Sequence, residues 1–187
     1  MTKKVLISIH PKWCEKIFSG EKTIEVRKSA PKLKPPFEVL VYMTKPKKRL
    51  IEIIKDGDYI YGDIYHGKML FIKMDRPVYD KNWNDVAGKV IGSFVCRGIM
   101  RPNDNLQTMA KQSLLTEAEL YEYSNGKPLY GWRITEPKLF DNPRELSGFG
   151  KYKTEWVALY GRDEIVFHPL KRPPQSWCLV EENDIYE

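Results

Sequence analysis

Lys22, Glu25 and Arg27 place one acid between two bases in the stretch Gly20-Glu21-Lys22-Thr23-Ile24-Glu25-Val26-Arg27-Lys28. A carboxylate accepts hydrogen bonds from nucleobase N–H groups, and a guanidinium pairs with a carboxylate, a phosphate or a carbonyl; an ammonium adds a point charge. Such a set suits a polar cleft for a nucleobase or nucleotide. It can also serve catalysis. A lysine whose pKa is lowered by burial or by a nearby arginine acts as a base. Glu25 would then activate water, or Thr23 would be the nucleophile. The competing reading is a solvated Glu25–Arg27 pair worth at most about 1 kcal/mol.

The elements around this stretch must bring the three side chains together. Gly20 ends a helix and opens a turn, and Lys22 to Lys28 reads as a strand. Period-2 alternation puts Ile24 and Val26 on one face and Thr23, Glu25 and Arg27 on the other. Before it, Val5 to Ile9 is a buried strand. Pro11 suits the first position of an amphipathic helix whose apolar face is Trp13, Ile17 and Phe18, with Lys12, Glu15 and Lys16 outside it. Ser29 to Pro36 is a basic, proline-punctuated loop, and Phe37 to Thr44 is a strand.

Downstream, Lys45 to Arg49 is a basic turn. The pattern then becomes irregular, with strand-like runs at Tyr59–Tyr61 and Met69–Ile72 suggesting a hairpin inserted at about 50–85. Asp80 to Gly88 is a polar loop carrying Trp83. Lys89 to Ile99 is a strand in which Gly92 and Gly98 mark bulges or close approaches. Leu106 to Ser113 reads as helical. Thr116 and Glu119 form a capping box for a further helix with Leu115, Leu120 and Tyr123 on its apolar face, ended by Asn125-Gly126. Tyr130 to Thr135 is a strand, and Pro137 to Leu146 an extended segment with a turn at Asn142-Pro143. A hairpin about Gly161 and a closing strand at Ser176–Val180 complete the chain. The sum is one domain over residues 1–187, α+β, built on a small, mainly antiparallel β-barrel with two or three short helices.

Composition agrees with a folded chain: 42% apolar and 30% charged residues. Residues 1–50 hold 13 Lys and Arg against 4 Asp and Glu, so they carry +9 of a chain whose net charge is +6. That basic end points to a polyanion partner, or to a solubilising surface. Cys14, Cys96 and Cys178 are odd in number and far apart, which argues against disulfides and for a reducing compartment. His10, His66 and His168 lack metal-ligand spacing, so no metal and no cofactor are expected. No apolar run nears the roughly 18 residues of a membrane helix, so no membrane partner and a cytoplasmic location are expected.

Four blocks in order carry a resemblance: Ser8-Ile9-His10-Pro11-Lys12-Trp13-Cys14-Glu15-Lys16-Ile17; Ser19 through Lys28; Lys89-Val90-Ile91-Gly92-Ser93-Phe94; and Arg172-Pro173-Pro174-Gln175-Ser176-Trp177-Cys178. Together they resemble the ASCH domain family, in particular its bacteriophage and prophage members. The Gly-x-Lys-x-x-Glu-x-Arg pattern at Gly20, Lys22, Glu25 and Arg27 is that family's hallmark. The resemblance implies a PUA-like β-barrel with a ligand cleft between the first helix and the barrel, lined by Lys22, Glu25 and Arg27. It implies binding of RNA or a modified nucleotide. Some relatives resemble small amidohydrolases of N4-acylated cytidine, and nuclease activity has been proposed for others. Lys22 matches the amidohydrolases' catalytic lysine, but a threonine stands there in the place of Glu25. Their catalytic glutamate would correspond to Glu117, Glu119 or Glu122. Ser93 stands where close phage relatives usually carry glutamate.

Three functional readings follow. In the first, RNA, a nucleotide or a modified nucleoside binds at Lys12, Lys22, Glu25, Arg27 and Lys28. Trp13, Trp132 or Trp177 then offers a stacking face, with Trp177 the one placed in the site. The second is a small hydrolase, amidohydrolase or ribonuclease, using Lys22 with Glu25 or Thr23. The third is a phage accessory module binding an unknown protein through Tyr59, Tyr61 and Tyr65 on the inserted hairpin.

Overall fold

The run Val5-Leu6-Ile7 is wholly buried, so β1 (Lys4–Ile9) forms as a central strand rather than an edge. In the computed structural model residues 3–45, 52–55, 58–65, 68–74, 86–101 and 104–183 are described, those from 52 to 74 by their backbone. After β1 come α1 (Pro11–Phe18), β2 (Ile24–Arg27), β3 (Phe37–Met43), β4 (Glu52–Lys55), β5 (Asp58–Tyr65), β6 (Lys68–Met74) and β7 (Val90–Met100). Then follow α2 (Leu106–Ser113), α3 (Glu117–Ser124), β8 (Tyr130–Arg144), a 3-10 turn at Leu146–Gly148, β9 (Phe149–Val157), β10 (Arg162–Pro169) and β11 (Trp177–Glu182).

Eight strands form one sheet in the order β10-β9-β11-β1-β3-β7-β8-β2. Its described pairs are antiparallel except β1 with β3, which the α1–β2 crossover makes parallel. β2 lies four places from β1 in this order, yet the Arg27 guanidinium on β2 donates to the Ser8 carbonyl of β1 at 2.6 Å. The sheet therefore curls until β2 comes back beside β1. The junction is open there because Ser8 is where β11 gives out: its N–H bonds the Ser176 carbonyl just before that strand begins.

The curl encloses the main core, including Val5, Ile7, Ile17, Val41, Phe94 and Trp132. A second cluster joins Ile24 and Val26 of β2 to Met109, Ala110 and Leu120, so α2 and α3 pack on the apolar face of β2. α3 has the expected capping box, with Thr116 and Glu119 bonding each other's backbone N–H groups. Asn125 ends the helix in the left-handed region.

Several sequence expectations change. Glu15, placed outside the helix face, is 1% exposed, because α1 sinks more of its circumference into the curl than a single stripe. Tyr130–Thr135 and the Pro137–Leu146 segment as far as Arg144 are one strand, β8, and Leu146 opens the 3-10 turn; Glu136 at φ 52° and the Asn142-Pro143 step are absorbed as register shifts against β7. A proline without an N–H fits such a bulge. Where a hairpin was expected, the described strands form a three-stranded antiparallel sheet, β4-β5-β6. Trp83 and the basic turn beyond Lys45 lie outside the described residues, as do the side chains of Tyr59, Tyr61 and Tyr65.

Candidate functional site

Lys22 precedes β2, in the turn that Gly20 opens with φ 81°. The turn is held from two sides. The Lys22 N–H bonds the Lys16 carbonyl of α1 at 2.7 Å, and the Thr23 N–H bonds the Gln112 carbonyl of α2 at 3.0 Å. This sends the lysine inward, where its Nζ donates at 2.8 Å to the Ser113 carbonyl at the end of α2. Helix ends leave carbonyls without intrahelical donors, and a cation there is favoured by the helix dipole. The same Nζ lies 3.5 Å from Glu25 Oε2 and 4.9 Å from the Trp13 ring centre.

Glu25 Oε1 is 3.0 Å from an Arg27 Nη, which also reaches Ser8. The three residues are 2%, 6% and 8% exposed, so this is a buried ionic row and not a solvated pair. The Arg27 Nε is buried and has no hydrogen-bond partner among the described residues. Burial pushes the Lys22 ammonium below its usual range; Glu25 offsets part of this, while Arg27 and Lys12 push it further down. Burial raises the Tyr123 hydroxyl above its usual range, against the pull of the Arg27 guanidinium that hydrogen-bonds it.

Beside this row lies a small open cleft of about 100 Å³, with Trp13, Ser8 and His10 on one part of its lining and Leu115 and Tyr123 on another. The expected trio Lys22, Glu25 and Arg27 lines it. Lys12 and Lys28 stand next to its aromatic lining: Lys12 Nζ is 4.4 Å from the Trp13 ring centre and Lys28 Nζ 5.0 Å from that of Tyr123.

Other expected residues are elsewhere. Thr23 is exposed and outside the lining, because β2 begins at Ile24 and the alternation does not extend back to it. Trp132 is wholly buried in the core, and Trp177 packs against it at 5.9 Å with its Nε1 on Ser29 Oγ. Glu117, Glu119 and Glu122 are exposed and not among the lining residues; Glu119 serves the α3 cap. Sequence reasoning missed Tyr123 and His10 as lining. Tyr123 had a signal, since the capping box and apolar face of α3 already fixed its side of the helix.

The family model described as ASCH domain matches residues 7–144, a span holding the whole ionic row. The chain belongs to the ASCH domain family. ASCH domains are PUA-like and generally linked to RNA binding. No curated protein matches this ASCH chain. Among solved structures it is similar to the crystal structure of ASCH from Zymomonas mobilis, with a TM-score of 0.52 at 17% identity over 94% of this chain and 85% of that one. A serine-to-alanine variant of the same protein gives 0.52 at 16% identity over 94% and 86%. At such identity the likeness shows a shared fold, the α+β PUA-like arrangement. Among the described residues of this ASCH chain, no helix is long and apolar enough to cross a membrane.

Proposed function

We propose that this cleft binds a base of RNA or of a nucleotide. The observation that carries the reading is the convergence of Lys22, Glu25 and Arg27, all buried, beside the Trp13 ring. Glu25 offers an acceptor to a base N–H, and the Arg27 Nε and Lys22 Nζ offer donors to a ring nitrogen or carbonyl. Lys12 now sits over Trp13. Lys12 and Trp13 are both half-buried, and a cation–π contact is worth about 0.5–2 kcal/mol against about 1–3 kcal/mol for a stacked base. A stacked base can therefore compete with the lysine for this ring. A cytoplasmic, reducing setting suits the three thiols: burial raises Cys96 to about 11 and moves Cys178 upward too. Membership of the bacteriophage type belongs to the same proposal.

The test is a titration of single-stranded RNA and of the four nucleosides, followed by tryptophan fluorescence. Binding is expected, with Trp13→Ala costing about tenfold in affinity and Lys22→Met and Arg27→Gln costing more. No binding by the folded protein, or binding indifferent to all three changes, overturns the reading.

The depressed Lys22 pKa favours a second reading, hydrolysis of an N4-acylated cytidine with Lys22 as base. Turnover of N4-acetylcytidine should then appear, rise with pH as Lys22 loses its proton, and vanish in Lys22→Met. No turnover at high enzyme concentration ends that alternative.

A further inference from the structure

The side chains of the site make a continuous line of contacts. It runs from Lys12 through Trp13 to Lys22, then along Glu25 and Arg27 to Tyr123 and Lys28. Each end of the line is the same device: a lysine ammonium resting on the ring of an aromatic residue of the lining. The two ends come from different parts of the fold. Lys12 is in the first turn of α1, where the positive end of the helix adds to its charge. Lys28 follows β2 and heads the loop that carries the exposed Lys32 and Lys34.

Hydrogen-bonding groups suited to a base edge occupy the middle of this line. Cations suited to phosphate occupy both extremities. A nucleoside uses only the middle. A mononucleotide uses the middle and one extremity. A nucleotide within a strand has a phosphate on each side and uses all of it.

Resting on the base-binding reading above, we infer that the cleft takes an internal nucleotide of a single strand, with its base at the Lys22–Glu25–Arg27 row and its two flanking phosphates at Lys12 and Lys28. A paired base cannot offer its Watson–Crick edge to the row, because that edge is already used. The ligand is thus an unpaired or extruded position. The lysines that leave the aromatic faces when the base stacks are the ones that meet the phosphates, so base entry and backbone capture are coupled.

The experiment compares each nucleoside with its dinucleoside monophosphate and its homotrinucleotide, which carry none, one and two phosphates between residues. Affinity is measured against salt. Each phosphate held on a single strand contributes about −0.7 to the slope of log affinity against log salt. The expected slopes are near zero for the nucleoside, about −0.7 for the dinucleotide and about −1.4 for the trinucleotide. Lys12→Ala and Lys28→Ala should each shift the trinucleotide slope by about 0.7 toward zero, and the double variant should abolish it. Lys153→Ala, in the distant β9, should leave it unchanged.

If nucleosides bind but trinucleotides bind no tighter and show no salt slope, the inference falls and base binding stands. A steep slope that ignores Lys12 and Lys28 overturns the assignment of those two residues. Failure of all three ligands to bind overturns both readings.

Discussion

Replacing Glu25 with glutamine keeps the side-chain shape and removes the one negative charge of the row. Its oxygens lie 3.0 Å from Arg27 and 3.5 Å from Lys22, and no side chain of the three is more than 10% exposed. The variant leaves two cations facing an amide in a buried place. Removing one partner of a buried ion pair costs about 3–5 kcal/mol, because the survivor stays desolvated without compensation. In a domain of this size each kcal/mol moves Tm by about 2–4 °C, so a fall of about 6–20 °C is expected by calorimetry near neutral pH. The exposed Lys16–Glu21 pair is the internal control. Glu21→Gln there should cost at most about 1 kcal/mol.

The same variant has a signature in pH. Burial holds the Lys22 pKa below 10.5 and Glu25 props it up, so loss of Glu25 lowers it further. Below the folded pKa both states carry the proton and the penalty stands in full. Between the folded pKa and 10.5 only the unfolded lysine holds the proton, so stability rises with pH. The gap between variant and parent should therefore narrow as pH rises toward 10.5, read from urea midpoints. A Glu25→Gln variant no less stable than Glu21→Gln, or a gap that does not change with pH, refutes the buried-row argument.

Two further predictions concern the scaffold. A Cβ at Gly92 would clash with the Lys138 carbonyl oxygen and lie 2.8 Å from the Phe18 ring, so Gly92→Ala should push α1 off β7 and lower Tm by several degrees; an unchanged Tm refutes it. Burial alone would raise the Glu182 pKa, but Lys4 at 2.7 Å and Arg144 at 2.8 Å bring it below 4.5. Such a carboxylate stabilises fully above 4.5 and loses its contribution as pH falls through the folded value. Lys4→Met should flatten the acid side of the urea-midpoint curve, and an unaltered slope there counts against the Lys4–Glu182 link.

Local chemistry was readable wherever one residue type has one use. Pro11 opens α1, Thr116 with Glu119 caps α3, and Gly92 marks a close approach, all as their types require. Alternation failed at Thr23 because it holds only inside a strand, and the strand boundary is set by distant partners. The Thr23 N–H goes to Gln112 of α2, and its carbonyl accepts from Ile134 of β8. The break expected between Thr135 and Pro137 was bridged in the same way: β7 continues alongside and absorbs the extra residues as bulges.

The sequence by itself determined which charges are available and how they are spaced, from Lys22 to Glu25 to Arg27, and that a helix and a short strand flank them. Only the tertiary structure decided that they share a buried row. That required the sheet to curl until Arg27 met Ser8, α2 to end where Lys22 could reach the Ser113 carbonyl, and α3 to bring Tyr123 alongside. Those partners lie far along the chain, and desolvation depends on everything that surrounds a group, so local spacing carries no record of it.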